Sequence, residues 1–172
     1  MPYYVQVQTT TYGNLTAQCG TADVADRLSN TNSEVAGNDF SFVYDFDINI
    51  EQPHNEASAG NVSSAASIHT VAFTVPDYEP LAAQALNVLA GQDVIKQVTL
   101  NITAIQKGQQ KLLAQYTMSN GMLIDYDHKI KDQRTEEAQK NRGEITLTFK
   151  FEKIELDDKV GNTQGTITTN AA

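Results

Sequence analysis

The chain has 172 residues, enough for a single domain with a sizeable hydrophobic core. Its net charge of −9 argues against binding to nucleic acid or to anionic lipid, because both need clustered Lys and Arg residues. A single cysteine excludes an intramolecular disulfide, and no apolar run is long enough for a transmembrane helix, so we expect no membrane insertion.

The N-terminus, MPYYVQVQTT, has neither the basic start nor the apolar segment of a secretory signal. We therefore expect the protein to be made and folded in the cytoplasm, and any export to use a route that reads no cleavable signal. In the same stretch, β-branched and aromatic residues alternate with polar ones, which predicts a strand from Pro2 to Thr11.

The clearest strand pattern runs from Asp39 to Glu51. Every even position from Phe40 to Ile50 is aromatic or aliphatic, whereas most odd positions are polar or acidic. A strand places successive side chains on opposite faces. We therefore expect the even side chains to be buried and the odd ones to face solvent, among them Asp45, Asp47 and Asn49.

The next segment, Gln52 to Ala66, consists of small and polar residues and contains Gly60. Such a composition cannot form a core. We favour a mobile surface loop, and an arm that reaches a neighbouring subunit is the functional alternative. A further strand is predicted from Ser67 to Val75, with Val71 and Phe73 pointing inward.

The segment DYEPLAAQALNVLAG, Asp77 to Gly91, predicts a helix that packs on the strands. We expect the Asp77 carboxylate to cap its first turn and Gly91 to end it in a left-handed conformation. Apolar residues recur at helical spacing and predict one buried stripe. This stripe consists of Leu81, Ala85 and Leu89, widened by Ala82, Leu86 and Val88.

Strand patterns and turn signals fill the rest of the chain. Turns are predicted at Lys107-Gly108-Gln109 and at Asn120-Gly121. The predicted strands are Val94–Gln106, Lys111–Met118, Met122–Ile130 and Glu144–Leu156. The strand Met122–Ile130 has an apolar face made of Met122, Ile124, Tyr126 and Ile130. In Glu144–Leu156 the apolar residues shift from odd to even positions at Glu152-Lys153, as a β-bulge would cause. From Asp157 to Ala172 we expect a weakly structured tail.

Together these elements predict a mainly β protein in one domain, residues 1–172. Its architecture is an antiparallel β-barrel or sandwich of about seven strands with one α-helix packed on its side. Short, solvated strands leave exposed edges, and exposed edges favour pairing with another chain. The sequence therefore indicates a protein that can assemble through its sheet.

No residue pattern predicts catalysis. His54, His69 and His128 have no partner at metal-ligand spacing. Asp45 and Asp47 project from one strand face about 7 Å apart, as a carboxylate pair for acid–base work or for Ca²⁺ would. A solvated strand face explains them better, because Ca²⁺ takes about six to eight oxygen ligands from a loop that wraps it. We expect no catalytic residue, no cofactor and no metal site.

With the strands placed, the chain resembles the Hcp (haemolysin co-regulated protein) family, the tube proteins of type VI secretion systems. The matching segments are YVQVQTTTYGNLTA, the strand at Phe40–Ile50 with its Gly/Ser-rich continuation, IHTVAFTV with His69, and ITLTFKFEKIEL. A short helix with Pro80-Leu81 near its start also matches the family. No single segment is specific, but their order and spacing together are fairly specific.

The resemblance implies a structural protein and not an enzyme. Members of the family form six-fold rings, and the rings stack into a tube inside a contractile sheath. The sheath drives the tube and a VgrG-like spike out of the cell, and the ring interior can hold effector proteins before export. We therefore expect a secreted homo-hexamer whose partners are further rings, the spike, the sheath and effector cargo.

The resemblance also implies roles for two sets of residues. If the strand at Phe40–Ile50 lines the channel, its odd face points into the lumen, and the lumen-facing residues are Asp45, Asp47 and Asn49. If the segment 52–66 is an arm that reaches the next ring or subunit, its contact residues are Pro53, His54, Asn55 and Asn61.

Two other functions agree with the sequence. The first is a tail-tube protein of a phage or phage-like contractile particle, which shares the fold and differs in its neighbours. The second is a β-sandwich carbohydrate-binding module, a different class of protein. Such modules usually present aromatic platforms to sugars, whereas here the aromatic residues alternate inward and Trp is absent.

Overall fold

The computed structural model describes residues 3–17, 39–51, 67–130, 132, 134 and 143–168. These residues form eight strands and one helix. The elements are β1 (Tyr3–Thr9), β2 (Ser41–Val43), β3 (Asp45–Glu51), β4 (Ser67–Pro76), α1 (Glu79–Gly91), β5 (Val94–Gln106), β6 (Gln109–Ile130), β7 (Gly143–Asp158) and β8 (Thr163–Thr168). All strand pairs are antiparallel, so the predicted class of a mainly antiparallel β protein with one helix is confirmed.

The strands form a single curled sheet in the order β2-β1-β5-β6-β7-β4-β3, and β8 pairs with the second half of β7. The first and last strands of this order, β2 and β3, are consecutive in the chain and meet at Tyr44. The Tyr44 N–H donates a hydrogen bond to the carbonyl of Thr74 in β4, at 2.8 Å. The curl of the sheet therefore brings its two ends together at this bend.

The hydrophobic core lies between helix α1 and the inward faces of the strands. Its buried strand residues include Val5, Val7, Phe73, Val98, Leu100, Ile145, Leu147 and Phe149. The helix contributes Leu81, Ala85 and Val88, all of them buried. Burying a Leu side chain contributes roughly 1.5–3 kcal/mol. The helix depends on this packing, because a helix of 13 residues is marginal on its own in water.

The ends of α1 differ from the prediction. Tyr78 is the N-cap and makes no side-chain cap hydrogen bond, while the Asp77 carboxylate turns toward His128 in β6. At the other end, Gln92 takes the left-handed conformation, with φ of 52°, in place of Gly91. Leu86 was expected in the buried stripe but is 50% exposed. It lies five residues after Leu81, a rotation that turns it away from the core.

The single strand predicted from Asp39 to Glu51 is two strands that change direction at Tyr44. β2 pairs with β1, whereas β3 pairs with β4. In β3 the even residues Phe46 and Ile48 are half-buried, as expected, but in β2 the odd residues Ser41 and Val43 are buried. The phase differs because the two strands belong to different parts of the curled sheet.

The Asn120-Gly121 turn was wrong, because both residues lie inside the 22-residue strand β6. Asn120 has a φ of 53°, a conformation that Asn tolerates better than most residues. After this residue the faces of the strand are exchanged: even positions such as Met118 are buried before it, whereas Leu123 is buried and Met122 is exposed after it. The Lys107-Gly108 hairpin turn, in contrast, is confirmed, with φ angles of 52° and 76°.

The phase change predicted at Glu152-Lys153 is present, since both residues are exposed between buried Phe151 and Ile154. The pairing register does not slip there: Lys153 pairs with Ser119, and Phe151 with Gly121. The slip lies between Leu123 and Asp125 instead. It restores the original phase of β6, so Tyr126 again faces inward while Ile124 stays exposed.

The weakly structured tail expected from Asp157 is structured in part. β7 extends to Asp158, and residues Thr163–Thr168 form strand β8 along it. Most β8 side chains are exposed, and only Ile167 packs against the core. The sequence therefore carried no apolar alternation that could reveal this strand.

Candidate functional site

The three residues predicted to face a channel lie together on strand β3. Asp45, Asp47 and Asn49 are all exposed, and they alternate with half-buried Phe46 and Ile48. Their common exposure follows from the two-residue repeat of a strand. The structure thus confirms that they share one solvated face, and their position relative to a lumen stays a prediction.

This face continues across four strands, because directly paired residues lie on the same side of a sheet. Two rows of side chains run from β3 through β4 and β7 to β6. The rows are Asp45, Thr74, Thr146 and Asp127, and next to it Asp47, Ala72, Thr148 and Asp125. We call these eight residues the outer face. Acidic residues occupy its two margins, on β3 and β6. These strands are three strand spacings, or about 14 Å, apart, and threonines occupy most of the centre.

Helix α1 lies on the opposite side of the sheet from the outer face. Tyr126 and His128 of β6 pair with the buried residues Leu147 and Ile145 and so point toward the core. Nε2 of His128 lies 3.0 Å from Oδ2 of Asp77, just before the helix. No described helix therefore covers the outer face, and its acidic margins are exposed while Thr74 at its centre is buried.

An exposed apolar corner adjoins the outer face where β5 and β6 meet. Val94 pairs directly with Met122, and Ile124 follows on the same strand. Their exposed fractions are 47%, 42% and 44%. The sequence placed Met122 and Ile124 on a strand's apolar face with Tyr126, so their exposure was not foreseen. Contiguous exposed apolar side chains commonly mark a protein–protein contact.

The residues predicted to form an inter-subunit arm, Pro53, His54, Asn55 and Asn61, lie outside the described residues. The structure does define where their segment begins and ends. Glu51 in β3 pairs directly with Ser67 in β4. The segment 52–66 therefore leaves and rejoins the sheet at one point, next to the acidic strand β3.

Three strands have an edge that pairs with no other described strand. Among the strands of the described residues, β2 pairs only with β1, β3 only with β4, and β8 only with β7. Edges of this kind present backbone N–H and C=O groups to a further strand. They lie at different places in the sheet, which suits a contact between unlike surfaces of two copies.

A polar cluster of Asp77, His128 and Tyr126 connects the start of α1 to β6. The Tyr126 hydroxyl lies 3.4 Å from Nδ1 of His128, whose Nε2 faces Asp77. The Asp77 N–H also donates to the Gly143 carbonyl, at 3.1 Å. Burial and the Asp77 carboxylate both raise the pKa of Tyr126. No nucleophilic hydroxyl other than that of Tyr126 takes part in these contacts. The contacts of the cluster hold the start of helix α1 against β6.

A metal site needs several ligating side chains close together, and a membrane-spanning helix needs a long apolar segment. Within them, no group of three or more His, Cys, Asp or Glu side chains is arranged to hold a metal ion. None of their helices combines the length and the apolarity needed to cross a membrane. The features that remain are surfaces: the outer face, the apolar corner and the open strand edges.

Solved structures of Hcp proteins have the same fold. One Hcp protein superposes with a TM-score of 0.82 at 12% identity, over 99% of both chains. The secreted protein Hcp3 from Pseudomonas aeruginosa superposes with a TM-score of 0.71 at 14% identity, again over 99% of both chains. A type six secretion system protein matches with a TM-score of 0.62 at 11% identity, over 96% of this chain and 91% of its own.

No protein-family model matches the sequence, and no curated protein matches it either. At identities of 11% to 14%, the superpositions show a shared fold and carry no residue-by-residue equivalence. They do extend over nearly the whole chain, so the resemblance noted in the sequence is confirmed at the level of the fold. This chain has the fold of the Hcp proteins.

Proposed function

We propose that this chain is the tube subunit of a type VI secretion system, a structural protein and not an enzyme. The observation that carries the proposal is the full-length match to an Hcp protein, with a TM-score of 0.82 over 99% of both chains. The surface features agree with assembly: open strand edges on β2, β3 and β8, and an exposed apolar corner on one subunit.

In the proposed assembly, six copies form a closed ring through contacts between unlike surfaces, and rings stack into a tube. The apolar corner of Val94, Met122 and Ile124 is buried against the next copy. Such burial stabilises the ring because each apolar side chain removed from water contributes free energy in proportion to its area. The segment 52–66, with Pro53, His54, Asn55 and Asn61, extends to the next ring or subunit.

In the proposed ring, the outer face of the sheet, which is the side opposite helix α1, lines the central channel. This orientation keeps the helix on the outside and points Asp45, Asp47 and Asn49 into the lumen, together with Asp125 and Asp127 of β6. The channel wall is then acidic at two margins and neutral between them. Effector proteins are held in this channel before the sheath expels the tube and its VgrG-like spike. The protein is made in the cytoplasm and leaves the cell with the tube.

The test is the mass of the purified protein in solution, measured by light scattering on a sizing column, with electron microscopy of the same peak. We expect six times the monomer mass of 18.8 kDa and ring-shaped particles with a central hole. The measurement should span a roughly hundredfold range of concentration, because assembly follows mass action. A monomer throughout that range would contradict the proposal.

A further inference from the structure

Few side chains attach strand β8 to the rest of the protein. Among the described strands it pairs only with β7, in a register that runs from Lys153 opposite Thr168 to Asp158 opposite Thr163. Most of its side chains are exposed, and only Ile167 packs against the core. A segment with so few buried apolar contacts opens locally at much less free energy than global unfolding requires.

β7 keeps its place in the sheet when β8 leaves. The stretch of β7 that pairs with β8 also pairs on its other edge with β6, where Ile154 lies opposite Met118 and Leu156 lies opposite Tyr116. Ile154 and Met118 are both buried in the core. Opening of β8 therefore uncovers the backbone N–H and C=O groups along one edge of a strand that is still fixed.

The turn between β7 and β8 is the hinge for such an opening. It comprises residues 159–162. One carboxylate oxygen of Asp158 accepts hydrogen bonds from the N–H groups of Val160 and Gly161, both at 3.0 Å. Asn162 has a φ of 55°, a conformation that L-residues adopt at some cost. The Asp158 carboxylate thus closes the turn, while Asn162 favours its opening.

The uncovered edge of β7 selects its occupant through register. A replacement strand must place an aliphatic side chain opposite Ile154, as Ile167 does in β8. β8 itself is uncharged, whereas the edge that it covers carries both Lys153 and acidic residues. β8 of a second copy satisfies these requirements in every position, because it remakes the same contacts. Exchange of an identical element between copies costs little for that reason.

We propose that β8 is an exchangeable strand, and that the β7 edge from Lys153 to Asp158 binds β8 of a second copy of this chain. Binding occurs by strand addition, in which backbone hydrogen bonds give the affinity and the Ile154–Ile167 pair gives the register. The inference goes beyond the proposed ring, because exchanged strands connect two chains whichever other surfaces hold a ring together.

Local opening is tested by amide hydrogen exchange of the dilute full-length protein. The reference amides are those of β7 from Ile145 to Phe149, a stretch that is paired with both β4 and β6. We expect the β8 amides to exchange at least about 100-fold faster than these. Equal rates in the two stretches would overturn the proposal, because β8 would then open only when the whole sheet unfolds.

Exchange between copies is tested by disulfide formation between two variants in a Cys19→Ser background, which contains no other thiol. One chain carries Glu155→Cys and the other carries Thr166→Cys. These positions pair directly, and the Cα atoms of such a pair lie about 4.5–5.5 Å apart, within reach of a disulfide. Thr163→Cys replaces Thr166→Cys in the control mixture, because this residue lies three positions out of register, about 10 Å along the strand.

We expect covalent dimers from the Glu155→Cys and Thr166→Cys mixture to exceed those from the control mixture about tenfold. A non-reducing gel measures both products. Equal yields would overturn the proposal, because they would reflect collision or simple proximity of surface thiols. The absence of dimers from both mixtures would overturn it as well.

A pair of neighbouring carboxylates tests the hinge in the same mixtures. Asp158→Ala removes the acceptor that closes the turn, whereas Asp157→Ala removes only an exposed ion pair with Lys159, at 3.1 Å. We expect Asp158→Ala to raise the rate of dimer formation several-fold and Asp157→Ala to leave it close to that of the parent mixture. Equal rates in the two variants would contradict the hinge.

The exchanged strand and the proposed ring fail or succeed separately. Rings that form without register-specific dimers would overturn the exchange and leave the ring standing. Register-specific dimers from a protein that forms no rings would support the exchange and contradict the ring. Circular dichroism of each variant checks that the sheet is folded before the thiols are oxidised.

Discussion

Single polar residues fix both ends of helix α1 to the sheet. After the helix, the Asp93 carboxylate accepts hydrogen bonds from the Thr11 N–H and hydroxyl, both at 2.9 Å, and from the Val94 N–H at 3.0 Å. Burial raises the pKa of Asp93, but these hydrogen bonds outweigh burial, so the pKa lies below its usual range. Before the helix, Asp77 contacts His128, which contacts Tyr126.

Through Tyr126, the polar cluster before the helix makes the stability of the protein depend on pH in the alkaline range. Its raised pKa means that the folded state favours the neutral phenol. The neutral Tyr126 therefore contributes its full share to the free energy of unfolding below about pH 10. This contribution is lost as the pH rises through the raised pKa. In Tyr126→Phe this loss is absent. We expect the free-energy difference between wild type and variant to be constant from about pH 7 to 9 and to shrink above about pH 10.

Urea unfolding of both proteins across this pH range measures the difference. The other tyrosines are common to both proteins, so their ionisation cancels in the comparison. A difference that stays constant up to about pH 11 would contradict the role of Tyr126.

At the scale of elements, the irregular point of β6 is the feature that shapes the surface. Asn120 reverses the phase of the strand, and the slip at Ile124 restores it. Between these points, Met122 and Ile124 face outward and form the apolar corner with Val94. Gly121 allows this arrangement, because a Cβ atom there would meet the Lys150 carbonyl and the Phe151 ring.

We therefore expect Gly121→Ala to destabilise the protein by about 1–3 kcal/mol, the usual penalty for overpacking. Gly165→Ala is the matched control, because a Cβ atom at that position in β8 meets nothing within 4 Å. Chemical unfolding of both variants at one protein concentration gives the comparison. Equal stabilities for the two variants would show that β7 moves away from Gly121 at little free-energy cost.

Several elements could be predicted from sequence because their signals are local. The stripe of Leu81 and Ala85 and the Lys107-Gly108 turn depend on residues close in the chain. The bend at Tyr44 has no Gly or Pro to mark it, and β8 has only Ile167 to bury. At Asn120-Gly121 the turn signal was overridden, because tertiary packing against β7 requires the glycine.

At the scale of the whole molecule, the outer face depends on strand order. The exposure of Asp45 and Asp47 followed from alternation in one strand. That Asp127 and Asp125 lie in the same rows depends on β4 and β7 standing between β3 and β6, a long-range order that no local pattern contains. The apolar corner was missed for a related reason, since its exposure arises from the packing of β6 on β7.

The proposed ring predicts different effects for two lysine substitutions on this side of the sheet. Met122→Lys places a charge in the apolar corner, where burial against the next copy would leave it desolvated at a cost of several kcal/mol. Asp47→Lys places the same side chain on the solvated outer face. We expect Met122→Lys to be monomeric under conditions in which Asp47→Lys forms rings.

Light scattering on a sizing column distinguishes these outcomes, and far-ultraviolet circular dichroism checks that both variants are folded. Rings in both variants would remove the apolar corner from the ring contact. Loss of rings in Asp47→Lys alone would contradict the assignment of the outer face to the channel.

The pairing of Glu51 with Ser67 has a consequence for protein engineering and for sequence divergence. Since the chain leaves and returns at one register pair, the sheet places no requirement on how many residues lie between them. Loop-closure entropy rises slowly with length, by only about 0.6 kcal/mol for each doubling. This junction can therefore accept an inserted epitope or fluorophore tag, and related chains can differ in length here while keeping the same strand register.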